Sequence, residues 1–232
     1  MAGVIALRPA SRMRFLPAYA DLGLVFLLVA LARLQRVPEM SATALQFSQR
    51  KYAVVPDLLD RHQVASLYSY TLLLLRSFKW SGDEPLPNTP ALYGEPRMEE
   101  LLLELLPRIE DATALRLYPT YSYLRVYKQG DVLTWHFDRP ACEISVTTTL
   151  GYKADGLWPL WIEGPLGVSS VEAEPGSAVL FRGNECRHWR DEFFGAYSVQ
   201  LMLHYVDQNG PHAEWKFDKR PSLSSLRQSI RG

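Results

Sequence analysis

The alternation of apolar and polar positions divides the chain into three stretches of different character. Leu22 to Ala32 is an apolar run of eleven residues, with Arg8, Arg12 and Arg14 before it and Arg33 and Arg36 after it. A spanning helix needs about 20 such residues, so this run is too short to cross a bilayer. It reads as the apolar part of a targeting segment, as a membrane-surface element, or as part of an extension ahead of a true start at Met40. Residues 1–45 are therefore set apart as an extension with a short apolar helix, dispensable to the rest. Gln49 to Pro56 then reads as the first strand of a domain. From Asp57 to about Trp80, Leu58, Leu59, Val64, Leu67, Leu72 and Leu75 recur at helical spacing behind a Pro56–Asp57 start. Ser81 to Pro96 holds four prolines and two glycines and reads as a loop. Met98, Leu101, Leu102, Leu105 and Leu106 then form an i, i+3, i+4, i+7, i+8 stripe, which predicts a helix over 97–107 that Pro107 ends or kinks.

Beyond residue 114 the period shortens. Tyr121–Lys128, Cys142–Gly151, Trp158–Ile162, Ser170–Glu174, Ala178–Arg182 and Tyr197–Val206 read as strands. Turn residues such as Gly130–Asp131, Asp155–Gly156 and Pro175–Gly176 separate most of them. Helices followed by many short strands predict an α+β domain over 46–210, with the helices packed on a β-sandwich or barrel of residues 114–207. Residues 211–232 read as a polar tail.

Composition changes this picture little. Hydrophobic residues make up 47% of the 232 and charged residues 22%, as in a soluble globular domain. A formal net charge of zero gives no electrostatic sign of a nucleic-acid partner. Two cysteines, Cys142 and Cys186, are too few for a disulfide framework. They favour a reducing, cytoplasmic setting.

The candidate chemistry lies in the β-rich half. His136-Phe137-Asp138 follows the turn Gln129-Gly130-Asp131, and His188 comes fifty residues after Asp138. Two imidazoles and one carboxylate are the ligand set that a non-haem Fe(II) oxygenase offers its metal, leaving positions open. In a strand, residues i and i+2 face the same side, so the His-x-Asp step can aim both ligands into one cavity.

These pieces occur in a familiar order. Arg125-Val126-Tyr127-Lys128-Gln129-Gly130 ends a strand at a glycine turn, and His136-Phe137-Asp138 follows. Ser145-Val146-Thr147-Thr148-Thr149-Leu150, the turn and strand Pro175 to Phe181, His188, and the closing strand Gln200 to Tyr205 complete the order. The stretch Tyr121 to Asp207 resembles the core of the 2-oxoglutarate/Fe(II)-dependent dioxygenases, nearest the prolyl-hydroxylase-like branch. The resemblance implies a double-stranded β-helix of the jelly-roll or cupin-like kind. It implies iron held by His136, Asp138 and His188, with 2-oxoglutarate and O₂ as co-reactants. It implies hydroxylation of a C–H bond in a small-molecule or peptidyl substrate.

One departure stands out against that family. Its members commonly carry Arg or Lys on the closing strand, nine or ten residues past the distal histidine, to hold the far carboxylate of 2-oxoglutarate. Here those positions are Tyr197 and Ser198. Burying a dianion without a positive or hydrogen-bonding partner is very costly. Arg125 alternates with Tyr123 and Tyr127 and is the expected replacement, with Arg190 as a second candidate. Thr147 and Thr149, and Ser198 and Gln200, are expected to add polar groups from neighbouring strands, and His204 to face the same cavity. Other readings remain open: a non-catalytic cupin-like binding module, a non-haem iron enzyme without 2-oxoglutarate, or an adaptor using residues 15–36. The sequence carries no code for the substrate or the oligomeric state.

Overall fold

The structure is a computed structural model that describes residues 40–223 apart from 78, 79 and 85. The apolar run 22–32 lies outside the described residues. No helix among the described residues is long and apolar enough to cross a membrane.

Helix α1 (Ala42–Arg50) precedes strand β1 (Tyr52–Val55). The expected strand from Gln49 is thus shorter, and a helix that the sequence reading did not find comes before it. Ser41 Oγ accepts from Ala44 N at 3.1 Å to cap this helix, and Lys51 ends it in the left-handed conformation at φ 65°. Helix α2 (Arg61–Ser77) starts four residues later than Pro56–Asp57 suggests. The reason is capping. Asp60 Oδ1 accepts from the backbone N–H of His62 at 2.7 Å and Gln63 at 2.8 Å, whereas Asp57 sits in a turn at φ 47°.

The proline-rich segment is not a loop. It forms strands β2 (Ser81–Asp83) and β3 (Leu86–Tyr93), a hairpin at the margin of a sheet, where missing proline donors are tolerated. Helix α3 runs Pro96–Thr113 straight through Pro107. Pro107 and Leu103, whose carbonyl it leaves without its helical donor, both lie on the exposed face, where water can serve that carbonyl. The apolar stripe meanwhile continues through the buried Ile109 and Ala112.

Strands β4 (Leu117–Lys128), β5 (Leu133–His136), β6 (Ile144–Lys153), β7 (Leu160–Gly164), β8 (Gly167–Val171), β9 (Ala178–Arg182), β10 (Arg187–Arg190) and β11 (Tyr197–Asp207) make the rest. They fall into two antiparallel sheets, and the chain crosses from one to the other at every step except β7 to β8. The larger has the order β1-β9-β6-β11-β4-β3-β2 and the smaller β5-β10-β7-β8. Taken from β4 to β11, this alternation is a double-stranded β-helix, with α3 packed on β4 and α2 on β6. The fold class is therefore α+β, as expected.

The two faces of β4 and β11 have different chemistry. Leu124, Val126, Val199, Leu201 and Leu203 join Met98, Leu102 and Leu105 in the main core. On the opposite face Tyr121, Tyr123, Arg125 and Tyr127 pair in register with His204, Met202, Gln200 and Ser198. Residues 211–223, expected as a polar tail, pack on the domain. Asp218 accepts from both Nη atoms of Arg139 at 2.7 and 2.8 Å and from the Tyr93 hydroxyl at 2.6 Å, and Arg220 pairs with the buried Glu99.

Candidate metal centre and cavity

Strands β5 and β10 carry the two histidines; β10 is absent from the sequence reading, and β5 enters it only through the His-x-Asp step. They pair antiparallel with His188 opposite His136, which sets the two rings 4.3 Å apart between centroids. Each ring is oriented in the same way. His136 Nδ1 bonds the carbonyl of Thr134 at 2.9 Å, and His188 Nδ1 bonds that of Cys186 at 2.9 Å. A carbonyl only accepts, so both Nδ1 atoms carry the proton and both Nε2 lone pairs are free. Phe181 packs on the His188 ring at 4.6 Å, and His188 is only 3% exposed.

Asp138 is not on the strand, as the His-x-Asp argument supposed. It lies two residues past the end of β5, and its position is fixed by other contacts. Its backbone N–H donates to Gly183 O at 2.9 Å, and its Oδ2 accepts from Ser145 Oγ at 2.6 Å. Oδ1 then stands 3.7 Å from His136 Nε2 and 3.6 Å from His188 Nε2. These separations are too long for hydrogen bonds but fit one ion held at about 2.0–2.2 Å from each ligand. All three ligand atoms lie within 4.8 Å of one another. Two nitrogens and one carboxylate oxygen, with no thiolate among them, suit a first-row divalent metal such as Fe(II).

The electrostatics agree with ligand roles. Burial opposes the charge on Asp138, but His188, His204 and the Ser145 hydroxyl outweigh it and hold the carboxyl at about 2. Burial, then the neighbouring His188, lowers the pKa of His136, which keeps its imidazole neutral and able to ligate. Burial alone is the chief cause that brings His204 down to about 4.

The three ligands open onto a cavity of 240 Å³ between the sheets, lined also by Tyr121, Tyr123, Arg125, Tyr127, Thr147, Arg190, Gln200 and His204. Side chains from β4, β6 and β11 thus meet the three ligands in one cavity. Gln200 organises one end. Its Nε2 donates to Thr149 Oγ1 at 2.8 Å and to Ser198 Oγ at 2.9 Å, and its Oε1 lies 3.4 Å from both Arg190 Nη2 and Thr147 Oγ1. Arg190 is 6% exposed, donates to the Trp158 carbonyl, and lies over the Trp158 ring at 4.9 Å. Burial lowers its pKa to about 10, and no carboxylate pairs with it among the described residues. Arg125 sits nearer the tyrosines. Its Nη2 donates to the Tyr123 hydroxyl at 3.2 Å, and its guanidinium lies 5.2 and 5.6 Å from the Tyr123 and Tyr127 ring centroids. A larger open groove of 590 Å³, between residues 153–159 and 191–196, holds no metal-type cluster among the described residues.

Two contributors went unnoticed in the sequence. Ser145 was visible only as the first residue of a threonine-rich strand. Gly183 was visible only as a glycine between Arg182 and Asn184.

No protein-family model matches the sequence, and no curated protein matches it. Solved structures do. A prolyl-4-hydroxylase from Pseudomonas putida superposes with a TM-score of 0.61 at 16% identity, over 73% of this chain and 99% of that one. The non-heme alpha ketoglutarate dependent epimerase SnoN from nogalamycin biosynthesis gives 0.60 at 14% identity, over 78% and 82%. An oxidoreductase of the 2OG-Fe(II) oxygenase family from Burkholderia pseudomallei gives 0.59 at 17% identity, over 75% and 93%. The likeness is one of fold, and the fold is the double-stranded β-helix.

Proposed function

We propose that this chain is an Fe(II)- and 2-oxoglutarate-dependent oxygenase, a hydroxylase of a small-molecule or peptidyl substrate. One observation carries the reading. His136 Nε2, His188 Nε2 and Asp138 Oδ1 converge beside a cavity that also buries a guanidinium without a carboxylate partner among the described residues. The similar solved structures include 2OG-Fe(II) oxygenases and a prolyl-4-hydroxylase, which supports the same assignment.

His136, Asp138 and His188 would hold the iron, the two backbone carbonyls fixing the imidazoles and Ser145 fixing the carboxylate. When bound, iron would activate O₂, the oxidant, and 2-oxoglutarate would supply two of the electrons that reduce it, chemistry that no side chain has. Arg190 would neutralise the far carboxylate of 2-oxoglutarate. Both arginines are buried, and at the Arg190 end of the cavity Gln200, Thr147, Thr149 and Ser198 add hydroxyls and an amide. Tyr127 and Trp158, in edge contact at 4.9 Å, would keep water from that end. Arg125, which the sequence favoured for the same carboxylate, would stand between the tyrosines and the substrate side.

The test is an anaerobic titration with Fe(II) and 2-oxoglutarate, followed by visible absorbance, together with an assay for succinate under air. A charge-transfer band that needs both additions, and succinate that needs iron, are the expected results. Iron binding without any effect of 2-oxoglutarate would move the assignment to an iron enzyme that does not use it. Neither binding nor succinate would leave a non-catalytic binding module.

A further inference from the structure

The two oxygens of Asp138 have different surroundings. Oδ1 faces the two Nε2 atoms, and Oδ2 is held by Ser145 Oγ at 2.6 Å. Ser145 has one hydroxyl proton, and the carboxylate is the closest acceptor of the three groups around it. The Cys142 carbonyl is farther, at 3.2 Å, and His204 Nδ1 lies at 3.0 Å. With the proton committed to Asp138, Ser145 Oγ is an acceptor toward His204, so His204 Nδ1–H donates. The bonds therefore run in one direction, from His204 to Ser145 to Asp138.

His204 is well placed to anchor such a chain. It stands on β11, opposite Ser145 of β6 in the strand register. Its ring is 7% exposed and packs on Tyr121 at 4.6 Å. Tyr121 is itself held, with its hydroxyl 2.9 Å from Cys142 Sγ and the Arg139 guanidinium 4.7 Å over its ring.

We propose that His204 is a positioning residue for the metal centre, acting on Asp138 through Ser145; this rests on the iron reading above. Its work is to keep Oδ2 occupied, so that Asp138 offers the metal Oδ1 alone. A carboxylate freed at Oδ2 can turn about its own bond. It then either leaves the metal or claims a second position that a cosubstrate needs. Partners one bond removed from a metal ligand typically change metal affinity about 10–100-fold.

The test uses the full-length chain, Fe(II) as the first probe and Fe(II) with 2-oxoglutarate as the second. Ser145→Ala and His204→Phe should each weaken Fe(II) binding about 10–100-fold and shift the visible band formed with 2-oxoglutarate. The double variant should bind no more weakly than Ser145→Ala alone, because the two residues form one chain of bonds. His204→Asn should recover most of the affinity, since its amide N–H₂ takes the place of Nδ1–H. His204→Gln, with its amide one bond farther out, should not. It also stands in for His204→Phe if that variant does not fold. Folded variants that melt lower yet bind Fe(II) like the parent would show a structural role only and overturn the inference. So would fully additive losses in the double variant. An unaltered chain that binds no Fe(II) would overturn the iron reading itself, and this inference with it.

Discussion

Gly183 lies directly against the carboxylate of Asp138. Its carbonyl accepts the Asp138 N–H at 2.9 Å, and a Cβ at position 183 would fall 2.1 Å from Asp138 Oδ2 and 2.6 Å from the Cys142 carbonyl oxygen. No other side chain fits without moving the ligand or the backbone. The glycine that follows β9 is thus part of how the third ligand is aimed.

Gly183→Ala should therefore act as a metal-site variant despite adding a single methyl group. We expect Fe(II) affinity to fall about tenfold or more, as when a ligand's immediate support is lost. Overpacking should also cost roughly 1–3 kcal/mol of stability. Isothermal titration and thermal melting measure the two effects. Parent-like iron binding would show that the loop relaxes around the methyl group.

Asp138→Ala should abolish iron-dependent succinate formation while leaving the far-UV circular dichroism of the parent. The carboxylate touches the cavity and not the main apolar core, so the fold does not depend on it for burial. Turnover equal to the parent's would remove Asp138 from the ligand set.

The arginines should separate in the 2-oxoglutarate dependence. A charge-assisted contact is worth about 1.5–3 kcal/mol, and about 1.4 kcal/mol is one decade. Arg190→Ala should thus raise the 2-oxoglutarate requirement roughly tenfold or beyond. Arg190→Lys should recover part of it, because an ammonium lacks the planar fork. Iron affinity should hardly change. A larger effect from Arg125→Ala than from Arg190→Ala would put the far carboxylate on the strand face that the sequence favoured.

The metal-free protein should lose stability as pH falls from about 6.5 to about 4. Burial depresses His204 from its ordinary 6.5 to about 4. Within that window the unfolded chain takes up a proton that the folded chain refuses. Stability present above 6.5 is then lost on acidification, by on the order of 3 kcal/mol for the whole window. Asp138 acts lower down: its carboxyl is held at about 2 against an ordinary 3.8, so its contribution is present above 3.8 and fades as pH drops toward 2. Melting curves from pH 7 to pH 4 should slope downward in the parent and less steeply in His204→Asn, whose amide does not titrate, the remaining slope including His136, which burial also depresses. An equal slope in the two proteins would assign the loss to other groups.

Much of this molecule is written locally. The stripe Met98 to Leu106 determined a core-facing helix, and alternation along 121–128 and 197–206 determined two long strands with one apolar and one polar face. Because side chains alternate strictly along a strand, that periodicity also put Arg125 and Tyr127 on one face, and the family resemblance implied that this face, with Gln200 of the closing strand, looks into the cavity. The order of His136, Asp138 and His188 among those strands pointed to a metal. What local pattern missed has physical causes. Strands β5 and β10 have polar residues facing a polar cavity, so the usual apolar-inward signal is absent where the chemistry lies. Prolines hid the hairpin of β2 and β3, since an edge tolerates what a central strand does not. Ser145, Gly183 and His204 meet Asp138 across gaps of 7, 45 and 66 residues, and no period in a sequence encodes such meetings. Arg190 gained its rank over Arg125 from its surroundings, which no local pattern encodes: the Trp158 carbonyl, Gln200 and the hydroxyls that Gln200 gathers. From sequence, a guanidinium two residues past a histidine either reaches the site or stays a surface charge, and only the closed sheets, by burying it, make a bound anion the natural partner.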